Sequence, residues 1–132
     1  MVIEDITNTD NILEVENLKK YFPVKSGFFR RLVGELKAVD DVSFELRRGE
    51  TLALVGESGC GKTTTARCIV NAVNPTSGTV KFKNRSGKTV NITDLQGQAL
   101  RALRRNIQMI FQDPFSSLNP RMNVFDIVSE PL

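Results

Sequence analysis

Histidine is absent from this chain of 132 residues, and cysteine occurs only twice, at Cys60 and Cys68. These scarcities exclude ordinary zinc chemistry. A structural zinc site takes four sulfur or imidazole ligands, and no C-x-x-C pair is present to start one. They also exclude a disulfide framework. A Cys60–Cys68 bond is not expected in a reducing cytosol, so both cysteines are expected to be structural, Cys68 as a small packed hydrophobe. Long apolar runs are missing too. The longest, such as Leu52–Val55, are only a few residues, whereas a membrane-spanning helix needs about 20. Met1–Asp10 carries acids instead of a basic cap and an apolar stretch, so no secretory leader is expected. There is no internal repeat and no low-complexity tract.

What remains is the composition of a soluble globular domain. Hydrophobic residues make up 40% and charged residues 25%. At this length one domain is expected, burying roughly two thirds of its unfolded surface. The net charge is +3. Mild basicity is compatible with phosphate, acidic lipid or nucleic acid, but no nucleic-acid-reading motif accompanies it, and a solvated surface accounts for it. A cytoplasmic location is expected, with any membrane contact made through a partner.

Along the chain, Ile12–Leu18 alternates apolar and polar residues and predicts a strand. Val24–Glu35 has no clear period and reads as a loop. Leu36–Leu46 predicts a second strand with Val42, Phe44 and Leu46 on one face. After the turn at Arg47–Glu50, Thr51–Val55 is an unbroken apolar run, as in a parallel strand buried on both faces. A helix is expected from Lys62 to about Val73, stopped by Asn74-Pro75. Gly78–Lys83 and Thr89–Ile92 predict a hairpin around Asn84–Lys88. Thr93, with Gln96 after it, predicts a capped helix carrying Leu95, Ala99, Leu100 and Leu103 inward and Arg101, Arg104 and Arg105 outward. Asn106–Phe111 predicts a strand closed by Gln112, and Asn123–Glu130 the start of another helix.

The sharpest signal is Gly56-Glu57-Ser58-Gly59-Cys60-Gly61-Lys62-Thr63, which fits G-x-x-x-x-G-K-[ST]. At ordinary residue frequencies such a match arises in roughly one chain in a few hundred of this length. Its context fits as well: an apolar strand should precede it and a helix should follow. Gly56, Gly59 and Gly61 let the backbone turn where a Cβ would obstruct it, aiming consecutive N–H groups inward as an anion nest. The helix opening near Lys62 adds its positive end. Lys62 supplies a mobile point charge for the β- and γ-phosphates, and the Thr63 hydroxyl a ligand for Mg²⁺. Thr64 is expected to support the α-phosphate. The competing reading, a glycine-rich turn with an incidental lysine, leaves this order of residues unexplained. A dinucleotide fingerprint fits poorly, because the glycines fall as G-x-x-G-x-G.

The flanks of this loop resemble the ATP-binding subunits of ABC transporters. Asn17-Leu18-Lys19-Lys20-Tyr21 is similar to the family's adenine-stacking aromatic loop. Leu36–Phe44 and Arg48-Gly49-Glu50 are similar to the lead-in to its phosphate loop, and Ile110-Phe111-Gln112-Asp113-Pro114 to its Q-loop. Phe111–Met122 and the Val24–Glu35 insert resemble the dipeptide and oligopeptide importer branch, a pattern shared with nickel and glutathione importers. The resemblance runs from about Ile12 to Leu132. It implies an α/β fold with a P-loop NTPase core of ABC type, incomplete here, beside an antiparallel β subdomain. Residues 12–46 and 78–92 would form the antiparallel portion, 51–73 and 106–112 the core, and 123–132 the start of a helical subdomain.

The resemblance also implies roles. The ligands would be ATP and Mg²⁺, held by Tyr21, Gly56, Glu57, Ser58, Gly59, Cys60, Gly61, Lys62, Thr63, Thr64 and Gln112. Thr63 and Gln112 would ligate the metal, Gln112 through its side-chain carbonyl. An aromatic near a strand end is usually a core residue, so position alone does not assign Tyr21; the resemblance does, with Phe22 as a substitute. Partners would be membrane-spanning permease subunits and a second ATP-binding subunit, at the cytoplasmic face of the membrane.

Three elements of the family pattern are absent: an Asp-Glu pair after an apolar strand, a Ser-Gly-Gly-Gln signature and a switch histidine. The chain therefore reads as a truncated member of the family. Nucleotide binding with negligible turnover is expected, with no catalytic residue assigned, since nothing orients an attacking water. An unpaired edge at Thr51–Val55 predicts self-association, checked by size-exclusion chromatography. Other P-loop enzymes fit less well, because the guanine-reading Asn-Lys-x-Asp is missing. A nucleic-acid-associated ATPase has charge in its favour but no motif.

Overall fold

The computed structural model describes residues 10–26, 31–110, 119 and 121–129. Strands β1 (Asn11–Ser26) and β2 (Arg31–Arg47) form a long antiparallel hairpin. Helix α1 (Lys62–Ile69) follows, then a second hairpin of β3 (Ser77–Lys83) and β4 (Thr89–Asn91). A 3₁₀ turn at Ile92–Asp94, helix α2 (Gly97–Arg104) and helix α3 (Val124–Ser129) complete the described chain. The sheet has four strands in the order β2-β1-β3-β4, all antiparallel.

The core lies between this sheet and the first two helices. Val15 and Leu18 of β1, Val39 of β2 and Val80 and Phe82 of β3 are buried with Cys68 of α1, Ile92 and Leu103 of α2. Val42 and Phe44 pack partly against this cluster, as their predicted face requires. Burial pushes the Cys68 thiol up from its ordinary pKa, so it is inert packing, as expected.

Three expectations need correction. Val24–Glu35 is largely strand, not loop: Val24 pairs with Gly34 and Phe22 with Leu36, so the insert lengthens the hairpin. Irregular ladder positions, including one between Val24 and Lys25, blur the alternation that would announce a strand in the sequence. Second, Thr51–Val55 is neither a strand nor buried; Val55 is 92% exposed. Third, Asn106–Ile110 forms no strand either. These two failures share a cause. A buried parallel strand needs ladder partners on its edges, and all strand pairs among the described residues are antiparallel ones of the other sheet. The two segments nevertheless approach each other. Leu52 and Leu54, with Met109 and Ile110, line one cleft of about 490 Å³ along α1.

The helix ends show smaller differences. Helix α1 stops at Ile69, short of the expected Val73. Asn71 ends it by taking a left-handed conformation, φ 50°. Its N–H donates to the Cys68 carbonyl (3.0 Å) and the Ala72 N–H to that of Arg67 (2.8 Å), the two bonds of a Schellman cap. The buried Asn71 amide also donates to the carbonyls of Ile92 (3.1 Å) and Leu95 (3.3 Å), tying α1 to the approach to α2. Asn71→Ala is expected to cost about 2 kcal/mol, because alanine is strained in the left-handed region and strands two carbonyls. Asn71→Gly keeps the conformation and is expected to cost about 1 kcal/mol; urea unfolding of both variants checks the order. The cap expected of Thr93 belongs to Asn91, whose Oδ1 accepts from the Thr93 N–H (3.2 Å), and α2 starts only at Gly97. Leu103 faces inward and the arginines outward as expected, whereas Ala99 is exposed. Asn123 caps α3 by accepting from the Asp126 N–H (2.9 Å).

Candidate functional site

The phosphate-loop residues come together as one feature. The first four residues of α1 after Gly61 are Lys-Thr-Thr-Thr, and the three threonines are weak helix formers. The helix is therefore held by packing of Thr65 and Cys68, both buried, and by its two ends. At the front, the Thr65 N–H and Oγ1 both donate to the Gly61 carbonyl, at 2.8 and 3.0 Å. Gly59 and Gly61 have φ of +84° and +97°, as a nest demands. Gly56 does not, but a Cβ there would lie 2.6 Å from Cys60 Sγ. Gly61 is the tightest point: a Cβ would meet the Ala38 carbonyl oxygen at 2.1 Å. The loop is thus seated directly on β2.

Ser58, Gly59, Gly61, Lys62, Thr63 and Thr64 line an open cleft of about 420 Å³ at the start of α1. The Lys62 ammonium lies across the loop. It donates to the carbonyls of Gly56 (2.8 Å) and Glu57 (2.6 Å) and approaches Cys60 Sγ (3.5 Å). An ammonium has three donors on a flexible stem, so it can exchange these carbonyls for phosphate oxygens. Glu57 and Cys60 belong to the exposed part of the loop, and Thr63, also exposed, lines the cleft with Lys62. The donor set fits Mg·ATP: glycines that leave room for phosphate, a lysine, the N-terminal end of α1 and a hard hydroxyl ligand for the metal. The bound Mg²⁺ would neutralise phosphate charge.

Tyr21 lies on β1 opposite Lys37 of β2, and Ala38, the seat of Gly61, is the next residue. Strand β2 therefore sets the pairing partner of the aromatic residue and the seat of the phosphate loop at neighbouring positions. The Tyr21 hydroxyl donates to Asp40 Oδ1, and Lys37 Nζ donates to Asp40 Oδ2 at 3.2 Å. Lys37 Nζ also lies 5.2 Å from the centroid of the Tyr21 ring. The hydrogen bond to Asp40 raises the Tyr21 pKa above the usual phenol range, and the same bond, with that from Lys37, holds the Asp40 carboxyl below the usual carboxylate range. Phe22 carries Lys20 over its ring (4.9 Å). Gln112, the expected second metal ligand, lies outside the described residues, as do Phe111 and Asp113.

Residues 39–130 match the family described as ABC transporter. The chain belongs to the ABC transporter family. Among relatives in that family, it is 51% identical over 125 residues to the oligopeptide transport ATP-binding protein AppF of Bacillus subtilis, covering 94% of this chain and 36% of AppF. It is 46% identical over 125 residues to the glutathione import ATP-binding protein GsiA of Pectobacterium atrosepticum, covering 95% of this chain and 19% of that one. This chain therefore spans about a third or less of the length of these relatives. A solved structure of the ATP-binding cassette MJ0796, dimeric and bound to ADP and Pi, superposes with a TM-score of 0.57 at 27% identity, over 70% of this chain and 35% of that one. The α/β fold class of an ABC ATPase, expected from the sequence, thus holds, with its antiparallel sheet formed and no parallel pairing among the described residues.

Lys37, Ala38 and Asp40 were not legible as site residues in the sequence. Only the pairing of the long hairpin sets Lys37 opposite Tyr21, and a loop reading of the insert conceals that register.

Proposed function

We propose that this chain provides the nucleotide-holding part of the ATP-binding subunit of an ABC importer. One observation carries the reading: a complete G-x-x-x-x-G-K-T loop opens α1 and is seated by Gly61 on the strand that pairs with Tyr21. Gly56–Thr64 would hold the phosphates, Thr63 and Gln112 the Mg²⁺, and Tyr21 the adenine. Residues 12–46 and 78–92 act as the β subdomain, 51–73 and 106–112 as the core and 123–132 as the start of the helical subdomain. Peptides are the proposed cargo, on the likeness to AppF; the likeness to GsiA supports glutathione as the second reading. The proposed partners are permease subunits and a second ATP-binding subunit, the latter supported by the dimeric MJ0796 cassettes. No helix among the described residues is long and apolar enough to cross a membrane, which accords with attachment through those partners at the cytoplasmic face.

Tyr21 is the sole tyrosine and tryptophan is absent, so tyrosine fluorescence, excited beyond phenylalanine absorption, reports on Tyr21 alone. Mg·ATP is expected to quench it saturably. Tyr21→Ala, followed by calorimetry, is expected to weaken Mg·ATP binding by about tenfold, the value of one base–aromatic stack. Fluorescence indifferent to nucleotide, with binding still detectable by calorimetry, would remove Tyr21 from the site.

These 132 residues are further proposed to hold ATP without appreciable turnover, because the sequence contains no Asp-Glu pair to orient water. Phosphate release on the order of 1 s⁻¹ that disappears in Lys62→Ala would overturn this.

A further inference from the structure

The Tyr21–Asp40–Lys37 cluster does more than decorate the hairpin. Asp40 accepts from both neighbours, one on each oxygen: Tyr21 on Oδ1 and Lys37 on Oδ2. Lys37 in turn lies over the Tyr21 ring. A ring with two rotatable angles is thereby fixed at its hydroxyl and carries the Lys37 ammonium over one face. The cluster sits on a rigid base. Val39, between Ala38 and Asp40, is buried at 4% exposure, and the Ala38 carbonyl is where Gly61 is seated. Three consecutive residues of β2 thus meet the phosphate loop, the core and the aromatic ring.

Stability does not account for the cluster. The Asp40 and Lys37 side chains are 46% and 60% exposed, and exposed polar pairs contribute little to folding. Orientation of the ring is what such contacts do supply. We propose that Asp40 is a positioning residue for nucleotide binding: by holding the Tyr21 hydroxyl while Lys37 covers one ring face, it sets the distance from the base-stacking surface to the phosphate loop on Ala38. This rests on the functional reading above and adds two residues to it.

The distinguishing ligands are Mg·ATP, which has a base, and Mg·tripolyphosphate, which does not. In Asp40→Ala, the affinity for Mg·ATP is expected to fall about fivefold, one partly exposed charged hydrogen bond converted to a binding ratio. Affinity for Mg·tripolyphosphate is expected to be unchanged. Tyr21→Phe should weaken Mg·ATP similarly, and the double variant no further, because both remove the same tie. Absorbance of the phenolate gives an independent readout. The charged groups acting on Tyr21 are Asp40, Lys37 and Asp41, and Asp40 dominates, so the single phenol should titrate at lower pH in Asp40→Ala. Equal loss for ATP and tripolyphosphate would overturn the proposal, as would a phenol shift without any loss for ATP, or additive losses in the double variant. Absence of Mg·ATP binding by the unmutated chain would overturn both this proposal and the functional reading. Binding by the unmutated chain, with ATP and tripolyphosphate affected alike in Asp40→Ala, would overturn the proposal alone.

Discussion

Replacing Lys62 by alanine is expected to lower the affinity for Mg·ATP by about a hundredfold, while the unliganded protein melts within a few degrees of the unmutated one. A charged hydrogen bond is worth roughly 1.5–3 kcal/mol, and a lysine reaching two phosphates makes more than one, so a loss near 3 kcal/mol is reasonable. The fold should tolerate the change. Among the described residues, Lys62 bonds only to exposed loop carbonyls and a thiol, and none of these is in the buried cluster. The outcome separates a phosphate site from a glycine turn with an incidental lysine. In the second case, removing the charge would change binding little. Calorimetric titration of both proteins, at one fixed ionic strength because of screening, makes the comparison.

The second large effect concerns Gly61. A Cβ there would lie 2.1 Å from the Ala38 oxygen, on a backbone with φ +97°. Neither strain is relieved by rotating a side chain, since the obstructing atom is main chain. Gly61→Ala is expected to destabilise the fold by about 3 kcal/mol or more and to abolish Mg·ATP binding, because the loop must lift from β2. Two other glycines calibrate the claim. Gly78→Ala would meet Asn17 O at 2.5 Å and Leu18 Cα at 2.6 Å where β3 crosses β1. It should cost comparable stability, yet leave the affinity of the folded protein nearly unchanged. Gly59 also has positive φ (+84°), but nothing lies within 4 Å of its Cβ position. Gly59→Ala should therefore cost only the conformational strain, about 1–2 kcal/mol. If Gly59→Ala and Gly61→Ala proved equally harmful, seating on Ala38 would not be the reason that position 61 is glycine.

The sequence announced those features whose signals are local. The motif Gly56–Thr63 names its own loop and the helix after it. The β3–β4 hairpin follows from a polar turn, in which Asn84 Oδ1 accepts from the N–H groups of Ser86 (3.0 Å) and Lys88 (2.9 Å). Features that depend on distant pairing were hidden. The extension of β1 and β2 past Pro23 arises because Val24–Ser26 meets Arg31–Gly34, with irregular spacing that no periodicity reports. Thr51–Val55 misled in the opposite direction. Its apolar run describes a strand with neighbours on both sides, and Leu52, Leu54 and Val55 are instead exposed. Asn71 shows a third limit. Asparagine is a weak stop signal, and its left-handed backbone with its bonds to Ile92 and Leu95 explains why α1 ends there, ahead of Asn74-Pro75. In the proposed site, the phosphate loop is named by its local motif, Tyr21 is assigned through resemblance alone, and Asp40 has no local signal.

The central claim is that the loop on β2 binds Mg·ATP as part of this chain's own fold. A thermal melt with and without Mg·ATP, run beside Lys62→Ala, tests it most directly. Binding to the folded state alone adds roughly 2.7 kcal/mol at a hundredfold excess over Kd, a rise of several degrees for a domain of this size. The prediction is one cooperative transition that Mg·ATP moves upward in the unmutated chain and leaves in place in Lys62→Ala. A transition that Mg·ATP does not move, or that it moves equally in both proteins, would contradict it.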